Sequence, residues 1–222
     1  MDIEYLIKHH VNTNWKDILL ELVQPYAKTI NKQLTDHYEF FGDENIFPKK
    51  ENIFRCFNMF DVEQLKCVII GQDCYHTPNV ADGLCFSHSP NKNGKIQKSL
   101  ENIFKEIHRS LNRKRVNSDL SDWAKQGCLM LNMSLTVISN RANSHSKIWK
   151  LFLHDIVKWI ANNTSGLCVM LWGNFAKESG IYFNENKHTV LKSGHPSPLN
   201  TKYPFIGCDH FAICEKMCNI SF

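Results

Sequence analysis

The stretch "LKCVIIGQDCYH", residues 65–76, decides the fold and supplies the first candidate functional residues. It begins with a continuous apolar run, Leu65–Ile70, which is typical of a strand covered on both faces. The run stops at a glycine, an amide, a carboxylate, a thiol, a phenol and an imidazole in succession. So many polar groups at the end of a buried strand indicate a functional site, provided that other parts of the chain supply partners for them.

Further apolar runs of strand length follow along the chain: Gly127–Leu131, Leu167–Trp172 and Thr189–Leu191. Amphipathic helical patterns separate them over residues 99–113 and 147–161, and a last helix is expected over residues 209–219. Strands that alternate with helices predict an α/β fold with a central four-stranded parallel sheet, flanked by helices on both faces.

The N-terminal part of the chain gives weaker signals. Residues 14–34 have helical periodicity, and Pro25 is expected in the first turn of a second helix, where its missing N–H does no harm. Residues 35–60 are expected to be irregular, and residues 1–14 to form a flexible N-terminal segment. No repeat, low-complexity tract or Gly/Ser linker divides the chain, so residues 1–222 are expected to form a single domain.

Composition narrows the possible functions. A net charge of +4 permits an anionic partner such as DNA without indicating one. The nine cysteines include no C-x-x-C pair, which argues against a zinc ribbon or an iron–sulfur site and favours a reducing compartment. Cys208, Cys214 and Cys218 leave a partial metal site as a minor alternative. No secretory signal or membrane-length apolar run is visible, so an intracellular protein is expected, nuclear or cytoplasmic according to the host.

The residues that follow the strands supply partners for the first cluster. Asp73 follows the first strand, Asn132 the second and His195 the fourth. Because ligands bind outside the carboxyl ends of parallel strands, these side chains should meet at one rim of the sheet. The G-x-S-x-G, P-loop and G-x-G-x-x-G motifs are missing, so the common hydrolase and nucleotide-binding classes are not indicated. Nothing offers metal-ligand spacing, and neither a metal nor a cofactor is expected.

Two rare motifs at this rim resemble those of family 1 uracil-DNA glycosylases. "GQDCYH", residues 71–76, is similar to the family's water-activating loop, and "HPSPL", residues 195–199, to its minor-groove loop. Other segments resemble the family in the same order: "QPYAKTI" (24–30), "GLCFS" (83–87), "SDWAKQGCLMLN" (121–132), "NSHS" (143–146), "LWGNFAKESG" (171–180) and "GCDHF" (207–211). The resemblance extends over residues 15–218.

The resemblance implies an enzyme of DNA repair. It would flip deoxyuridine out of DNA and hydrolyse its N-glycosidic bond, releasing uracil, leaving an abasic site and initiating base excision repair. Such a monofunctional glycosidase is expected to lack lyase activity, to need no cofactor and to act as a monomer. Its partner is uracil-containing DNA, single- or double-stranded, and the sequence identifies no replication partner.

The family's catalytic and base-binding roles fall on particular residues of this chain. Asp73 would orient the attacking water, and His195 would donate a hydrogen bond, as a neutral imidazole, to the uracil oxygen that gains negative charge. Asn132 would pair its amide with uracil N3–H and O4, where cytosine presents the opposite pattern. The other pocket residues would be Tyr75, which excludes the thymine methyl group, Phe86, which stacks on the base, and Gln72, which lines the pocket.

A second set of residues is expected to engage the DNA. The base must leave the duplex before it can react, and Leu199 would fill the vacated space from the minor groove. Phosphate contacts are expected from Ser99, Ser197 and His145. The remaining expected DNA contacts are His76 and Asn174.

The chain departs from the family pattern at several positions. Cys74 replaces the proline of the water-activating loop, which removes a stiffening residue and puts a thiol beside the site. "GKIQKS", residues 94–99, replaces a proline-rich phosphate loop, and Asn174 and Asn200 stand where serine is usual. Apart from Cys74 these changes concern phosphate contacts, so we expect the chemistry to be retained and DNA engagement to be altered.

Three alternatives remain open at this point. The main one is a DNA-binding or processivity module on a glycosylase fold whose catalysis is dispensable, and the retained catalytic residues argue against it. An unrelated nucleotide-binding α/β enzyme is disfavoured by the missing phosphate loops. A related glycosylase with broader base specificity should lack the aromatic ring of Tyr75.

Overall fold

The structure is a computed structural model, and it describes residues 1–88 and 95–222. Within these residues the helices are α1 (Ile3–His10), α2 (Trp15–Val23), α3 (Ala27–Phe41), α4 (Lys98–Leu111), α5 (Ser121–Ala124), α6 (Ser146–Asn163), α7 (Gly173–Glu178) and α8 (His210–Cys218). The strands are β1 (Ile46–Phe47), β2 (Cys67–Gly71), β3 (Cys128–Asn132), β4 (Val137–Ile138), β5 (Cys168–Trp172) and β6 (Thr189–Ser193).

The central sheet confirms the predicted fold class. Its strands are parallel and lie in the order β3-β2-β5-β6, and each of them overlaps one of the predicted apolar runs, with bounds that differ by up to two residues. Every residue of β2, β3 and β5 is buried. Because successive side chains point to opposite faces of a sheet, this burial means that both faces are covered. That is why these runs are continuous rather than alternating.

The order of the strands creates the place for a site. The chain passes from β2 to its neighbour β3, then crosses to β5 on the other side of β2. Such a reversal leaves a crevice outside the carboxyl ends of the strands. Gly71, the last residue of β2, is in register with Asn132, the last residue of β3. The loops that follow β2 and β3 therefore begin at the same level.

The expectation of a flexible segment over residues 1–14 is wrong. Helix α1 occupies most of it, and the Asp2 side chain caps the helix by accepting the Tyr5 N–H at 3.0 Å. Ile3, Leu6 and Ile7 are buried in the main core. Full burial of one such side chain is worth roughly 1.5–3 kcal/mol, enough together to hold the segment in place. A helix of only 8 residues has too few turns to give a clear periodic signal.

The region expected to be irregular, residues 35–60, begins as a helix. Helix α3 continues to Phe41 and buries Leu34 and Tyr38, and Gly42 follows it as the C-cap. Pro25 precedes α3 instead of lying in its first turn. Beyond Gly42 the chain forms short 3₁₀ turns and strand β1, which pairs antiparallel with β4. Strands of 2 residues each carry no readable pattern.

One hydrophobic cluster connects the two ends of the chain, from Ile3 to Phe222. Its largest fully buried side chains are tryptophans: Trp15, Trp123, Trp149 and Trp172. In the part of the chain that the structure describes, no helix combines the length and the apolar character that crossing a membrane requires.

Candidate active site

A cavity of about 190 Å³ opens at the carboxyl ends of β2 and β3. Its size is below the roughly 300–1,000 Å³ of sites for drug-sized ligands and suits one small planar group. All of the predicted catalytic and base-contacting residues line it, and so do two of the predicted DNA contacts. These residues are Asp73, His195, Gln72, Tyr75, Phe86, Asn132, His76 and Ser99.

Asp73 has two carboxylate oxygens in different surroundings. Oδ2 accepts the backbone N–H of Asn143 at 2.5 Å, whereas Oδ1 is buried and has no hydrogen-bond partner among the described residues. Burial raises the pKa of Asp73 above the usual value for aspartic acid, and the Asn143 N–H offsets part of that rise by stabilising the carboxylate. One oxygen is therefore fixed by the backbone and the other is left for a ligand or a reactant.

Asn143 is a further residue of the site, and no role for it was predicted from the sequence. Besides donating to Asp73, it accepts the Gln72 Nε2–H on its Oδ1 at 2.9 Å. Its φ of 61° lies in the left-handed region, which asparagine tolerates better than most residues. In the sequence, only the resemblance of "NSHS" to the family marks this segment. The role of Asn143 could not be predicted from its residue type, because the group that it supplies to Asp73 is a backbone N–H. The exposed side chain of Gln72 thus ties the Asp73 loop to Asn143.

The ring of His195 has a defined tautomer. Its Nδ1 accepts the backbone N–H of Ser197 at 2.9 Å, so in the neutral imidazole the proton is on Nε2. Burial lowers the pKa of His195 below its usual value, which favours the neutral ring at neutral pH. The loop is fixed further by Asn200, whose Nδ2 donates to the carbonyls of His195 and Tyr203 at 3.0 and 2.7 Å. Asn200, which stands where serine is usual in the family, therefore stabilises the loop that carries His195.

Two glycines allow the site residues to approach the strands closely. A Cβ on Gly71 would lie 2.3 Å from Asn132 Oδ1, so a side chain there would displace the amide. A Cβ on Gly173, whose φ is +85°, would lie 2.9 Å from the Cβ of His195. Both positions therefore require glycine if Asn132 and His195 are to stay in place.

Cys74 supports the Asn132 amide. Asn132 is only 6% exposed, and its Nδ2 donates to Cys74 Sγ at 3.7 Å. The Cys74 thiol in turn donates to the carbonyl of Ser134 at 3.3 Å. Burial raises the pKa of this thiol well above its usual value, so it stays protonated and unreactive. Where the family's proline would stiffen this loop, the hydrogen bonds of the Cys74 thiol hold it in place instead.

The two aromatic side chains that line the cavity, Tyr75 and Phe86, are held in place by neighbouring groups. The Tyr75 hydroxyl donates to the Phe86 carbonyl at 3.2 Å, which ties the two residues together. Phe86 has a φ of 60°, a conformation that an aromatic residue adopts only where its surroundings enforce it. Its ring centroid lies 5.3 Å from that of Trp172 and 5.9 Å from that of His195. Trp172, a buried supporting residue, was not predicted as part of the site.

The predicted DNA contacts outside the cavity lie beside it, with one exception. Asn174 is exposed and shares a neighbouring depression with His195. Ser197 is half-buried, and Leu199, at the tip of the same loop, is 91% exposed. Ser99 lies in the first turn of α4. Gly94, the first residue of the predicted replacement loop 94–99, is outside the described residues.

The exception is His145, and its predicted phosphate contact does not hold in this structure. The side chain is fully buried. Its Nδ1 lies 2.7 Å from Thr136 Oγ1 and its Nε2 lies 2.9 Å from His37 Nδ1, so both ring nitrogens are occupied. Burial and the neighbouring His37 lower the pKa of His145 to about 4. His145 therefore supports the segment behind Asn143 and does not reach the surface.

Two lysines flank the His195 loop. The Nζ atoms of Lys177 and Lys202 lie 5.4 and 5.5 Å from the ring centroid of Tyr203. Both lysines border a shallow depression together with Asn174. Neither forms a salt bridge within residues 1–88 and 95–222. Their charges are therefore available to an anionic partner at the rim of the cavity.

Comparisons with known proteins agree with this geometry. The profile of the Uracil DNA glycosylase superfamily matches residues 57–217. The uracil-DNA glycosylase of Francisella tularensis subsp. novicida is 42% identical over 206 residues, which cover 91% of this chain and 92% of that relative. The Campylobacter jejuni (strain RM1221) uracil-DNA glycosylase is also 42% identical, over 216 residues that cover 92% of this chain and 88% of the relative.

Solved structures share the fold. The mimivirus uracil-DNA glycosylase matches with a TM-score of 0.86 at 24% identity, over 96% of this chain and 85% of the mimivirus chain. A variant of that viral protein was solved in complex with UGI. The UNG of Nitratifractor salsuginis matches with a TM-score of 0.64 at 18% identity, over 87% of this chain and 88% of that one. The family predicted from the motifs is thus confirmed, and this chain belongs to the uracil-DNA glycosylases.

Proposed function

We propose that this chain hydrolyses the N-glycosidic bond of deoxyuridine in DNA, releasing uracil and leaving an abasic site for base excision repair. The observation that carries the proposal is the meeting of Asp73, Asn132 and His195 in one small cavity with an aromatic wall. The alternative of a non-catalytic DNA-binding module is not favoured, because the complete set of reacting and base-reading groups is retained.

The residues assigned to the reaction and to base recognition line one cavity of a single chain. All residues of the cavity wall belong to one copy, so we propose that a monomer is active. We also propose that residues 1–222 work as one catalytic domain, because the same hydrophobic cluster contains Ile3 and Phe222. The partner is uracil-containing DNA, and the unpaired Lys177 and Lys202 would attract its phosphates.

The reaction needs stabilisation of two opposite charges. Cleavage of the glycosidic bond makes the sugar cationic, like an oxocarbenium ion, while the departing uracil becomes anionic. Asp73 would stabilise the sugar and orient the attacking water with Oδ1, since Oδ2 is held by Asn143. His195 would donate from Nε2 to the uracil oxygen that gains charge, since its Nδ1 is already an acceptor.

A change of Asn132 to aspartate is expected to move base specificity toward cytosine. The amide of Asn132 matches uracil N3–H and O4, whereas an acceptor-only group cannot pair with O4 and can accept from the cytosine amino group. A mispaired buried group costs about 1–3 kcal/mol, so we expect uracil release to fall about 10- to 100-fold as cytosine release becomes measurable. Base release is measured from oligonucleotides that differ only in the target base.

The matched control for this change is Asn132→Ala. Alanine removes the hydrogen bonds to uracil N3–H and O4 and has no acceptor for the cytosine amino group. It should lose uracil release without gaining cytosine release. If Asn132→Asp released uracil at the wild-type rate and no cytosine, the assignment of base reading to Asn132 would be refuted.

A change of Tyr75 to alanine is expected to admit thymine. The ring of Tyr75 lines the cavity, and its hydroxyl is tied to the Phe86 carbonyl, so it is a fixed wall against a methyl group. Discrimination by one methyl-sized group amounts to roughly 10- to 200-fold, so thymine release should rise by about that factor. Tyr75→Phe keeps the ring and should still reject thymine. Equal thymine release by the two variants would contradict a role for the ring.

The pH profile should reveal a neutral His195. Burial raises the pKa of Asp73 and lowers the pKa of His195, so at neutral to alkaline pH the carboxylate is ionised and the ring is neutral. We therefore expect kcat/KM to be flat from neutral to alkaline pH and to fall on the acid side, at a higher pH than for an ordinary aspartate. A fall of kcat/KM with rising pH near neutrality would instead indicate that His195 acts as a protonated acid.

A further inference from the structure

Helix α4 places one polar side chain, Asn102, against the loop that carries His195. The Asn102 Nδ2 donates to the carbonyl oxygen of Pro196 at 2.8 Å. Its Oδ1 accepts the Lys105 Nζ at 3.2 Å. Because one end of the amide faces an acceptor and the other end faces a donor, the orientation of the amide is defined. Asn102 therefore connects α4 to the backbone of the residue that directly follows His195.

Helix α4 holds this amide in a fixed position. The apolar face of the helix is buried in the core. Glu106 follows Asn102 by four residues, a spacing that puts the two side chains on the same helix face. The buried carboxylate of Glu106 accepts the backbone N–H groups of Gly207 and Asp209 at 2.7 and 2.9 Å. The helix is thus fixed both to the core and to the segment that precedes α8.

One peptide unit joins Asn102 to the imidazole of His195. This unit lies between Pro196 and Ser197, and it is trans. Its carbonyl oxygen accepts from Asn102, and its N–H donates to His195 Nδ1 at 2.9 Å. A trans peptide is planar, and its C=O and N–H point in opposite directions. Holding the oxygen in place therefore also sets the direction of the N–H.

The direction of this peptide unit decides which tautomer His195 adopts. A rotation about the ψ bond of Pro196 and the φ bond of Ser197 would turn the carbonyl oxygen toward Nδ1 in place of the N–H. Because a carbonyl only accepts, it would favour the tautomer with the proton on Nδ1. Nε2 would then have no proton to donate to the uracil oxygen.

We propose that Asn102 is a positioning residue for base release, which holds the peptide unit after Pro196 so that the proton of His195 stays on Nε2. The inference rests on the proposed function, because the donor that it concerns acts on uracil. Ser99, an expected phosphate contact, lines the cavity one turn earlier on the same helix. The same turn of α4 would therefore bind a DNA phosphate and set the direction of the donor.

The first test is the rate of uracil release by Asn102→Ala. Alanine lacks the amide and is the best helix former, so α4 should remain intact. We expect the single-turnover rate constant to fall about 3- to 10-fold, the usual range for the loss of one hydrogen bond, with DNA affinity close to that of the wild type. The matched control is Lys105→Ala, which removes the exposed partner of the same amide and should keep the wild-type rate constant.

The second test asks whether Asn102 acts through the imidazole. His195→Leu removes the ring, so adding Asn102→Ala to it should cause no further loss of rate. If the double variant lost the full factor of Asn102→Ala as well, Asn102 would act by another route and the proposal would be wrong.

The third test reads the tautomer without measuring activity. Histidine is isotope-labelled, the ring-nitrogen NMR signals are recorded at neutral pH, and those of His195 are identified by their loss in His195→Leu. We expect the proton on Nε2 in the wild type and a mixture of both tautomers in Asn102→Ala. An unchanged Nε2–H tautomer in Asn102→Ala would overturn the proposal. A wild-type protein that released no uracil would refute the proposed function alone, because this comparison would still decide whether Asn102 sets the tautomer.

Discussion

Asp73→Asn is expected to slow uracil release about 10³- to 10⁴-fold while leaving DNA affinity close to that of the wild type. Asparagine has the same shape as aspartate and keeps an oxygen for the Asn143 N–H, so the loop should stay in place. It lacks the negative charge that stabilises the cationic sugar and orients the water. The rate constant is measured in single-turnover reactions with saturating enzyme, and affinity by titration of labelled DNA.

Asn143→Gly is the matched control for this variant. Glycine tolerates the φ of 61° and keeps the backbone N–H that Asp73 accepts, but it removes the oxygen that holds Gln72. We expect a loss much smaller than that of Asp73→Asn. If the two variants were equally impaired, the effect would come from the position of the loop and the assignment to the carboxylate charge would fail.

His195→Leu is expected to lower kcat about 10²- to 10³-fold, the usual effect of removing one donor aimed at developing negative charge. Leucine fills a similar space but has no donor at the position of Nε2. Because the charge develops only as the bond breaks, the affinity for DNA should change little. The loss should therefore appear in the single-turnover rate constant.

His195→Gln distinguishes the effect of losing the hydrogen-bond donor from the effect of changing the size of the side chain. The glutamine amide can still offer an N–H to the uracil oxygen, so its rate should lie between those of the wild type and His195→Leu. Equal rates for the glutamine and leucine variants would mean that a hydrogen bond from this position contributes nothing, and the proposed role of His195 would have to be abandoned.

The sheet and the reacting side chains could be predicted because a buried strand has a continuous apolar run and the reacting residues follow the ends of such runs. The continuous run ending at Ile70 indicated a strand covered on both faces, and β2 is buried throughout. Asp73, Asn132 and His195 follow the ends of parallel strands, and these ends share one rim by geometry. The resemblance to the family then supplied the role of each side chain.

Other features could not be predicted because they depend on contacts across the fold. The role of Asn143 rests on its backbone N–H, which every residue except proline has. His145 reads as a surface histidine, yet Thr136 and His37 satisfy both of its ring nitrogens in the interior. The sequence places the Cys74 thiol beside the site, whereas its burial and its hydrogen bonds with Asn132 and Ser134 depend on the folded structure.

The most direct test of the central claim is the release of free base by the wild-type protein in EDTA. The substrates are two end-labelled oligonucleotides that are identical except for one uracil or one thymine. We predict free uracil from the first, no base from the second, and a strand that stays intact until alkali cleaves the abasic site. If folded protein bound the uracil strand and released no uracil, it would be a DNA-binding module and the catalytic account would be contradicted.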